Sequence, residues 1–276
     1  MEKKVILLTA AILLGAVAFA QAQQDELHGA VDVAYQSKLV WRGFNIFGSQ
    51  PAAQAGVDLD LFGTGFGFNV TGHVPLKGGY VNNERWDYTL CYGNKMLEEQ
   101  QYETTYRLAW AYYNYPDNPS DGSATAPNAA LQEVSAVLSW PKICPAGFVP
   151  SYAIVKLWPS ESGSFSGTRS ASGGSASGWL HIFMLDYALT IQGLLPETPE
   201  QVLDFHGELV FNDGFGWAGQ NVDNDWSHML LGVSTDFDLG YNLTLTPGIY
   251  EQVAFESTVN RDKDQVWATL GLKYTF

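Results

Sequence analysis

Charged side chains at every second position are the feature of this sequence that could do chemistry. Asp58 and Asp60 form one such pair, and Asp204, His206 and Glu208 form a row of three. Successive side chains of a β-strand point to opposite faces, so residues two apart share a face. These rows therefore predict strands that each carry one charged face.

The alternate positions of the same segments are apolar, which is the pattern of strands with two unlike faces. It predicts about twelve strands, near residues 31–42, 52–62, 65–76, 84–93, 101–114, 129–140, 147–158, 179–192, 201–211, 226–237, 241–255 and 265–276. In the first strand the pattern places Leu39 and Trp41 on the apolar face. In the strand 147–158, Ala153, Val155 and Leu157 compete with Tyr152 and Ile154 for that face.

Composition suggests that the apolar faces meet lipid. Aromatic residues make up 14% of the chain and charged residues only 16%, whereas about a quarter of a soluble domain is charged. The sequence predicts an all-β fold, a transmembrane antiparallel up-and-down β-barrel, with an even strand number. An exported β-sandwich would also alternate, but Trp and Tyr concentrate near the predicted strand ends, as at membrane interfaces.

Residues 1–22 have the parts of a cleaved secretory signal peptide. Lys3 and Lys4 precede an apolar run over residues 5–20, and Ala20-Gln21-Ala22 is a small-residue cleavage site. We expect residues 23–276 to form one barrel domain in the outer membrane of a Gram-negative-type bacterium. We also expect contacts with outer-membrane lipid.

The connections differ in length in a regular way. Residues 62–65 and 238–240 are tight, whereas 115–128, 159–178 and 212–225 are long and rich in Gly, Ser, Asn, Asp and Pro. If both termini are periplasmic, the long loops all lie on the extracellular side and the tight turns on the periplasmic side, as in bacterial barrels.

Net charge and cysteine content limit the classes of partner that the protein can have. A formal charge of -15 argues against nucleic acid, whose binding needs basic patches. The His and Cys residues lack metal-ligand spacing, so no metal and no cofactor are expected. Cys91 and Cys144 could form a disulfide after export or stay as thiols, and the sequence leaves both alternatives open.

Three stretches resemble segments of known outer-membrane proteins. The ending Gly271-Leu272-Lys273-Tyr274-Thr275-Phe276 resembles the C-terminal signal of outer-membrane barrels, in which the terminal Phe is read by the barrel-insertion machinery. YQSKLVWRG at residues 35–43 and QPAAQ at 50–54 resemble the opening of the TorF-type porins, although Leu39 replaces the usual aromatic residue. This resemblance implies passive diffusion of small hydrophilic solutes and names no particular solute.

Strand parity assigns a set of charged residues to the lumen, with nine carboxylates, five basic groups and two histidines. They are Asp32, Lys38, Arg42, Asp58, Asp60, His73, Arg85, Asp87, Glu103, Arg107, Glu133, Asp204, His206, Glu208, Asp236 and Lys273. We expect a cation-preferring pore wall. The alternative is cross-strand pairing that fills the lumen, such as Lys38 with Asp58. Arg42 would either screen solutes or pair with wall carboxylates.

Two other function classes stay open. A lipid hydrolase would use outward His181 with Ser160 or Ser162, but no G-x-S-x-G motif occurs and we expect no enzyme. A closed structural or adhesive barrel would use loop aromatics such as Phe165, Phe215 and Trp217, which could instead pack inside the mouth. The sequence does not decide the oligomeric state.

Overall fold

The computed structural model describes residues 27–48, 50–76, 84–116, 130–160, 177–194, 198–216, 224–257, 259 and 263–276. The predicted signal peptide, residues 1–22, lies outside these residues. The described chain consists of β-strands with turns and loops between them. These segments contain no helix with the length and hydropathy needed to cross a bilayer.

Twelve long strands form the barrel wall. They are β1 (His28–Gln36), β4 (Ala52–Asp60), β5 (Phe66–Pro75), β6 (Arg85–Met96), β7 (Thr104–Asn114), β8 (Leu131–Ser139), β9 (Phe148–Pro159), β10 (Gly178–Gln192), β11 (Glu200–Asp213), β12 (Asp225–Ser234), β14 (Leu243–Ala254) and β15 (Gln265–Thr275). Three short strands, β2 (Val40–Trp41), β3 (Phe44–Asn45) and β13 (Phe237–Gly240), complete the set.

Each wall strand pairs antiparallel with the strands that precede and follow it in the wall. The pairing of β1 with β15 closes the ring, and β12 pairs directly with β14. The predicted fold, a closed antiparallel barrel of twelve strands, is confirmed. Such a barrel is about 24 Å across from backbone to backbone, given strands about 4.8 Å apart and tilted by about 40°.

The two ends of the barrel carry different connections. Gly29 and Phe276 exchange backbone hydrogen bonds of 2.9 Å, so both ends of the wall lie at the same rim, which we call the turn end. The strand ends that border connections 61–65, 97–103, 140–147, 193–199 and 241–242 also lie there. The strand ends that border the longer connections 37–51, 76–84, 115–130, 160–177, 214–224 and 255–264 lie at the opposite rim, which we call the loop end.

The last tight turn lies a few residues beyond its predicted position. Strand β12 stops at Ser234 because Thr235 turns its hydroxyl to the Val202 carbonyl, at 2.6 Å, and the ladder resumes with β13. The chain then reverses at Tyr241 and Asn242, whose φ angles are 55° and 63°. The predicted turn at 238–240 is therefore wrong, because those residues belong to β13.

The first strand is shorter than predicted. It ends at Gln36, which pairs with Ala52, and the chain then turns into the barrel instead of continuing along the wall. Leu39 is only 4% exposed and belongs to an apolar cluster inside the barrel. The assignment of Leu39 and Trp41 to the outer face is therefore wrong.

An apolar patch on the inner wall explains why the chain turns inward. In β9, Ala153, Val155 and Leu157 are buried inside the barrel, while Tyr152 and Ile154 take the alternate, outer positions. Neighbouring strands extend this inner patch with Leu131, Leu180, Ile182 and Val210. Such a surface is unfavourable in a water-filled lumen, so a segment that covers it stabilises the fold.

Truncation of an inner apolar residue tests this packing. We expect Leu157→Ala to lower the free energy of unfolding by about 2–5 kcal/mol, because it leaves a cavity under the covering segment. Leu157 has 0% exposure, whereas the control residue Leu270 is 48% exposed on the outer face. Urea unfolding of protein folded into lipid vesicles measures both variants, and an equal loss for Leu270→Ala would contradict the inner packing.

Candidate functional site

The segment that covers the inner patch is a β-hairpin, residues 38–47, which we call the inward hairpin. Val40 pairs with Asn45, and Trp41 pairs with Phe44. The two residues between them, Arg42 and Gly43, have φ angles of 50° and 90°. Two successive residues with positive φ form the type I′ turn that suits a tight hairpin.

The two turn residues differ in how readily they adopt a positive φ. A Cβ added at Gly43 would lie 2.5 Å from Cε1 of His228, so only glycine fits against this wall residue. Arg42 is a bulky residue in the left-handed region, where Gly, Asn and Asp are favoured. Such a conformation persists when surrounding contacts hold it, and it often marks a functional position.

Contacts on both sides carry the hairpin across the lumen. The Arg42 guanidinium donates to Glu133 of β8 at 2.6 Å and 3.2 Å. On the other side, Gln252 of β14 donates to the Gly43 carbonyl at 2.9 Å. Strand β14 is five strands from β8 in one direction and seven in the other, so the hairpin joins nearly opposite walls.

A buried arginine fixes the aromatic residue next to the tip. The guanidinium carbon of Arg85 lies 4.5 Å from the Trp41 ring centroid and 4.7 Å from that of Tyr113. The same guanidinium donates twice to Asp87, at 2.6 Å each, and His73 approaches that carboxylate at 3.2 Å. Charge neutralisation by Asp87 permits Arg85 to be 1% exposed between the rings.

Aromatic and carboxylate contacts connect the two ends of this cluster. Trp41 meets Tyr113 edge to face at 4.8 Å between centroids, and the Tyr113 hydroxyl donates to Glu133 at 2.9 Å. Burial alone would lower the pKa of Arg42, but the Glu133 carboxylate outweighs it, so that pKa lies above its usual value. Arg42 therefore remains cationic across the physiological pH range.

Phe215, just after the end of β11, packs onto the aromatic residues of the hairpin. Phe215 has 0% exposure and packs against Trp41 and Phe44, with centroids 6.0 Å and 5.8 Å apart. Asn212 holds the Phe215 backbone through both its amide and its carbonyl. Of the predicted loop aromatics, Phe215 thus packs inside the mouth, and Phe165 and Trp217 lie outside the described residues.

Two cavities lie on different sides of the hairpin tip, with volumes of about 350 Å³ and about 380 Å³. The first is lined by the hairpin and by β10, β11, β12, β14 and β15, and the second by Arg42 and the inner faces of β4–β11. Arg42, Ile182 and Glu208 line both. The two cavities therefore adjoin at one cation, one carboxylate and one apolar side chain.

Most of the sequence-predicted residues occupy inner-face positions of wall strands. These are Asp32, Asp58, Asp60, His73, Arg85, Asp87, Arg107, Glu133, Asp204, His206, Glu208 and Lys273. Lys38 and Arg42 lie on the inward hairpin instead of the wall. The structure thus brings Arg42, Arg85, Asp87 and Glu133 together around Trp41.

Two further predicted positions fall outside the wall. Glu103 lies in the connection before β7 and pairs with Lys142 of the next turn-end connection, at 2.5 Å. Asp236 lies between β12 and β13, where Thr246 donates to it. Both residues lie just beyond a strand end, but Thr246 has the inward parity of Gln252 in β14, so Asp236 still contacts the inner face.

The predicted ion pair between Lys38 and Asp58 is wrong. Lys38 donates to Gln265 of β15 at 3.3 Å. Asp58 is opposite Ala30, six residues before the end of β1, or about 20 Å along an extended strand. Because β1 ends at Gln36, Lys38 lies beyond the loop end of that strand.

The sequence pattern did not assign three inner polar residues, Asp186, His228 and Gln252. Asp186 lies 2.5 Å from His206, which Glu208 contacts at 2.9 Å on its other side. Asp186 escaped notice because β10 is apolar on both faces, which hides its parity. His228 and Gln252 were missed because their roles depend on the distant hairpin.

Both cysteines are free thiols in the structure. The Cys91 thiol approaches the Gly67 carbonyl at 3.5 Å within the wall, while Cys144 lies in the connection 140–147. The alternative of two unpaired thiols, which the sequence left open, therefore describes the structure. No set of three potential His, Cys, Asp or Glu ligands converges among the described residues.

The histidine considered for lipid hydrolysis has a partner other than serine. His181 Nδ1 and the Tyr152 hydroxyl are hydrogen-bonded at 2.6 Å, and the Ser160 hydroxyl donates to the Ala130 carbonyl. Ser162 lies outside the described residues. The structure thus offers no serine and histidine pair at the predicted position in the part of the chain that it describes.

Comparison with known proteins gives matches at the level of structure. No family model and no curated protein matches the sequence. The chain is similar to the NanC porin, with a TM-score of 0.53, 10% identity and coverage of 90% of this chain and 100% of that one. For the KdgM porin in complex with oligogalacturonate the TM-score is 0.51, with 8% identity and coverage of 90% and 99%.

An outer-membrane channel from Pseudomonas putida F1 matches to a similar degree, with a TM-score of 0.50, 10% identity and coverage of 92% of this chain and 97% of that one. At such low identities these matches show a shared barrel fold. Membership of the TorF-type porins stays a prediction, because no family model matches.

Neutralisation of Glu133 tests the main anchor of the hairpin. We expect Glu133→Gln to lower the free energy of unfolding by about 1–3 kcal/mol, because it leaves the partly buried Arg42 guanidinium without its counter-charge. The double variant Arg42→Gln with Glu133→Gln should lose clearly less. Urea unfolding in vesicles measures this cycle, and additive losses would show that the two side chains are not coupled.

Proposed function

We propose that this protein is an outer-membrane channel for the passive diffusion of small hydrophilic solutes, with a lumen narrowed by its own inward hairpin. The observation that carries the proposal is a closed barrel whose hairpin leaves two cavities that meet at Arg42 and Glu208. A barrel of about eight strands is filled by side chains, whereas sixteen to eighteen strands leave a wide channel. Twelve strands with an inserted hairpin give an intermediate, selective passage.

The outer surface supports a place in lipid. Apolar residues at outward positions are strongly exposed, including Val33 at 54%, Ile249 at 52% and Val266 at 51%. A water-soluble protein rarely exposes so continuous an apolar surface. Together with the predicted signal peptide, this surface supports export, insertion by the barrel machinery and residence in the outer membrane, with the loop end outside.

Charges on the turn-end side of the hairpin support a preference for cations. Asp58, Asp60 and Asp204 form no ion pair with any described residue. The carboxylates of Asp186 and Glu208 share the single imidazole of His206. Arg107, Lys273 and Lys95 offset only part of this charge, so a cation should be favoured in the lumen.

The porin and channel neighbours favour a channel over the other function classes. The oligogalacturonate named for the KdgM porin belongs to that protein and does not identify a solute here. A lipid hydrolase is not favoured, because His181 is bonded to Tyr152. A closed structural barrel is not favoured either, because cavities remain on both sides of the tip.

Single-channel recording in planar bilayers tests the proposal. We expect discrete conductance steps and a reversal potential that reports cation preference in a KCl gradient. The variant with Asp58→Asn, Asp60→Asn and Asp204→Asn should shift that potential toward zero. The preference should also weaken as salt rises, because the Debye length falls from about 10 Å at 0.1 M to about 3 Å at 1 M.

A matched control removes charge outside the lumen. Glu98→Gln with Glu99→Gln alters two exposed residues of the connection 97–103 and should leave the reversal potential unchanged. Absence of conductance steps from inserted protein would contradict the channel. Anion preference, or equal shifts for both sets of variants, would contradict the assignment of selectivity to the wall carboxylates.

A further inference from the structure

The lipid-facing surface carries two charged residues that the channel does not use. At the outward positions of the described wall strands, leaving aside strand-end residues, Lys156 and Glu251 are the only Asp, Glu, Lys or Arg side chains. All the other charged residues of these strands are inward or at the rims. Two isolated formal charges on a largely apolar surface require a separate explanation.

Glu251 is harder to accommodate in lipid than Lys156. Its register partners are Leu231 on β12 and Val266 on β15, which are 47% and 51% exposed on the outer face. Glu251 is itself exposed, and no described residue donates a hydrogen bond to it. A short carboxylate chain cannot reach the headgroups as a lysine can, so lipid is a poor environment for this group.

Lys156 occupies the matching position elsewhere on the barrel. Its register partners are Val134 on β8 and Trp179 on β10, and its ammonium lies 5.2 Å from the Trp179 ring centroid. That ring is its only described partner. The ammonium therefore keeps its hydrogen-bonding capacity for a group outside this chain.

The two charges lie at the same depth but cannot meet in one barrel. Each lies three residues before the loop end of a twelve-residue strand, β9 for Lys156 and β14 for Glu251. Those strands are four apart in a ring of twelve, which is about 20 Å across a barrel of this width. Equal depth allows the pair to form between two copies side by side in the membrane.

We propose that a second copy of this chain docks in the plane of the membrane, with Lys156 of one copy against Glu251 of the other. The contact joins the strip around Lys156, with Val134 and Trp179, to the strip around Glu251, with Leu231 and Val266. Because the two strips differ, the contact is head to tail, and each copy keeps one free strip for a further copy. The proposal requires a bilayer-spanning barrel but is independent of channel activity.

Cross-linking in lipid vesicles tests the contact. Both variants carry Cys91→Ser and Cys144→Ser, and one adds Val134→Cys while the other adds Val266→Cys. After co-reconstitution, a short bis-maleimide should link the two variants to each other far more efficiently than either variant to itself. Heat-dependent gel mobility verifies barrel insertion in every sample, so a failure to insert is recognised separately.

Charge reversal then identifies the interaction. Lys156→Glu on the first variant, or Glu251→Lys on the second, should each reduce cross-linking about tenfold, since close charge pairs at interfaces are coupled by more than about 1.4 kcal/mol. Both reversals together should restore it. Glu99→Lys, a reversal at an exposed turn-end residue, serves as the control and should have no effect.

Three results would overturn the proposal. The first is a cross-linking yield no higher than that between two copies that both carry Val31→Cys, which lies near the turn end. The second is an equal loss of cross-linking with the control Glu99→Lys. The third is no recovery of cross-linking when both charges are reversed. Loss that follows Lys156→Glu only in vesicles with anionic lipid would assign Lys156 to lipid phosphate instead of a second copy. Conductance is not part of this readout, so its outcome does not depend on that of the proposed channel.

Discussion

The apolar patch on the inner wall is the constraint on which the rest of the structure depends. A ring of twelve strands leaves a lumen too wide for wall side chains alone to fill, yet β8–β11 present Val155, Leu157, Leu180 and Ile182 to that space. Exposure of this patch to water would weaken the fold. The inward hairpin removes it from water, and the narrowing of the lumen is a consequence of that packing.

Charge placement follows from the same packing. The hairpin carries Arg42 into a region of restricted water, where a cation needs a counter-charge and hydrogen bonds. Glu133 provides both, and the pair in turn holds Arg42 in a backbone conformation that is unfavourable for a large residue. Arg85 repeats this arrangement between Trp41 and Tyr113, so the tip is fixed by two neutralised arginines.

The strands and their inner faces could be predicted from the sequence because strand parity is a local property. Eleven of the twelve predicted segments match a wall strand along most of their length. The hairpin could not be predicted, because residues 37–42 alternate like the end of a strand. What turns them inward is an apolar patch on strands about a hundred or more residues away. The competing faces of β9 were the available signal: Ala153, Val155 and Leu157 needed a covering segment. Glu103 lies beyond the end of β7, where strand parity no longer fixes the direction of a side chain.

The central claim is that the inward hairpin, and not the width of the barrel, limits passage through the lumen. Replacement of residues 38–47 by a flexible Gly-Ser segment of equal length, compared with the intact protein in planar bilayers, tests this claim most directly. The account predicts a severalfold larger single-channel conductance and weaker ion selectivity, because a lumen of about 24 Å backbone diameter would lose its constriction. Unchanged conductance and selectivity in a correctly folded variant would contradict it.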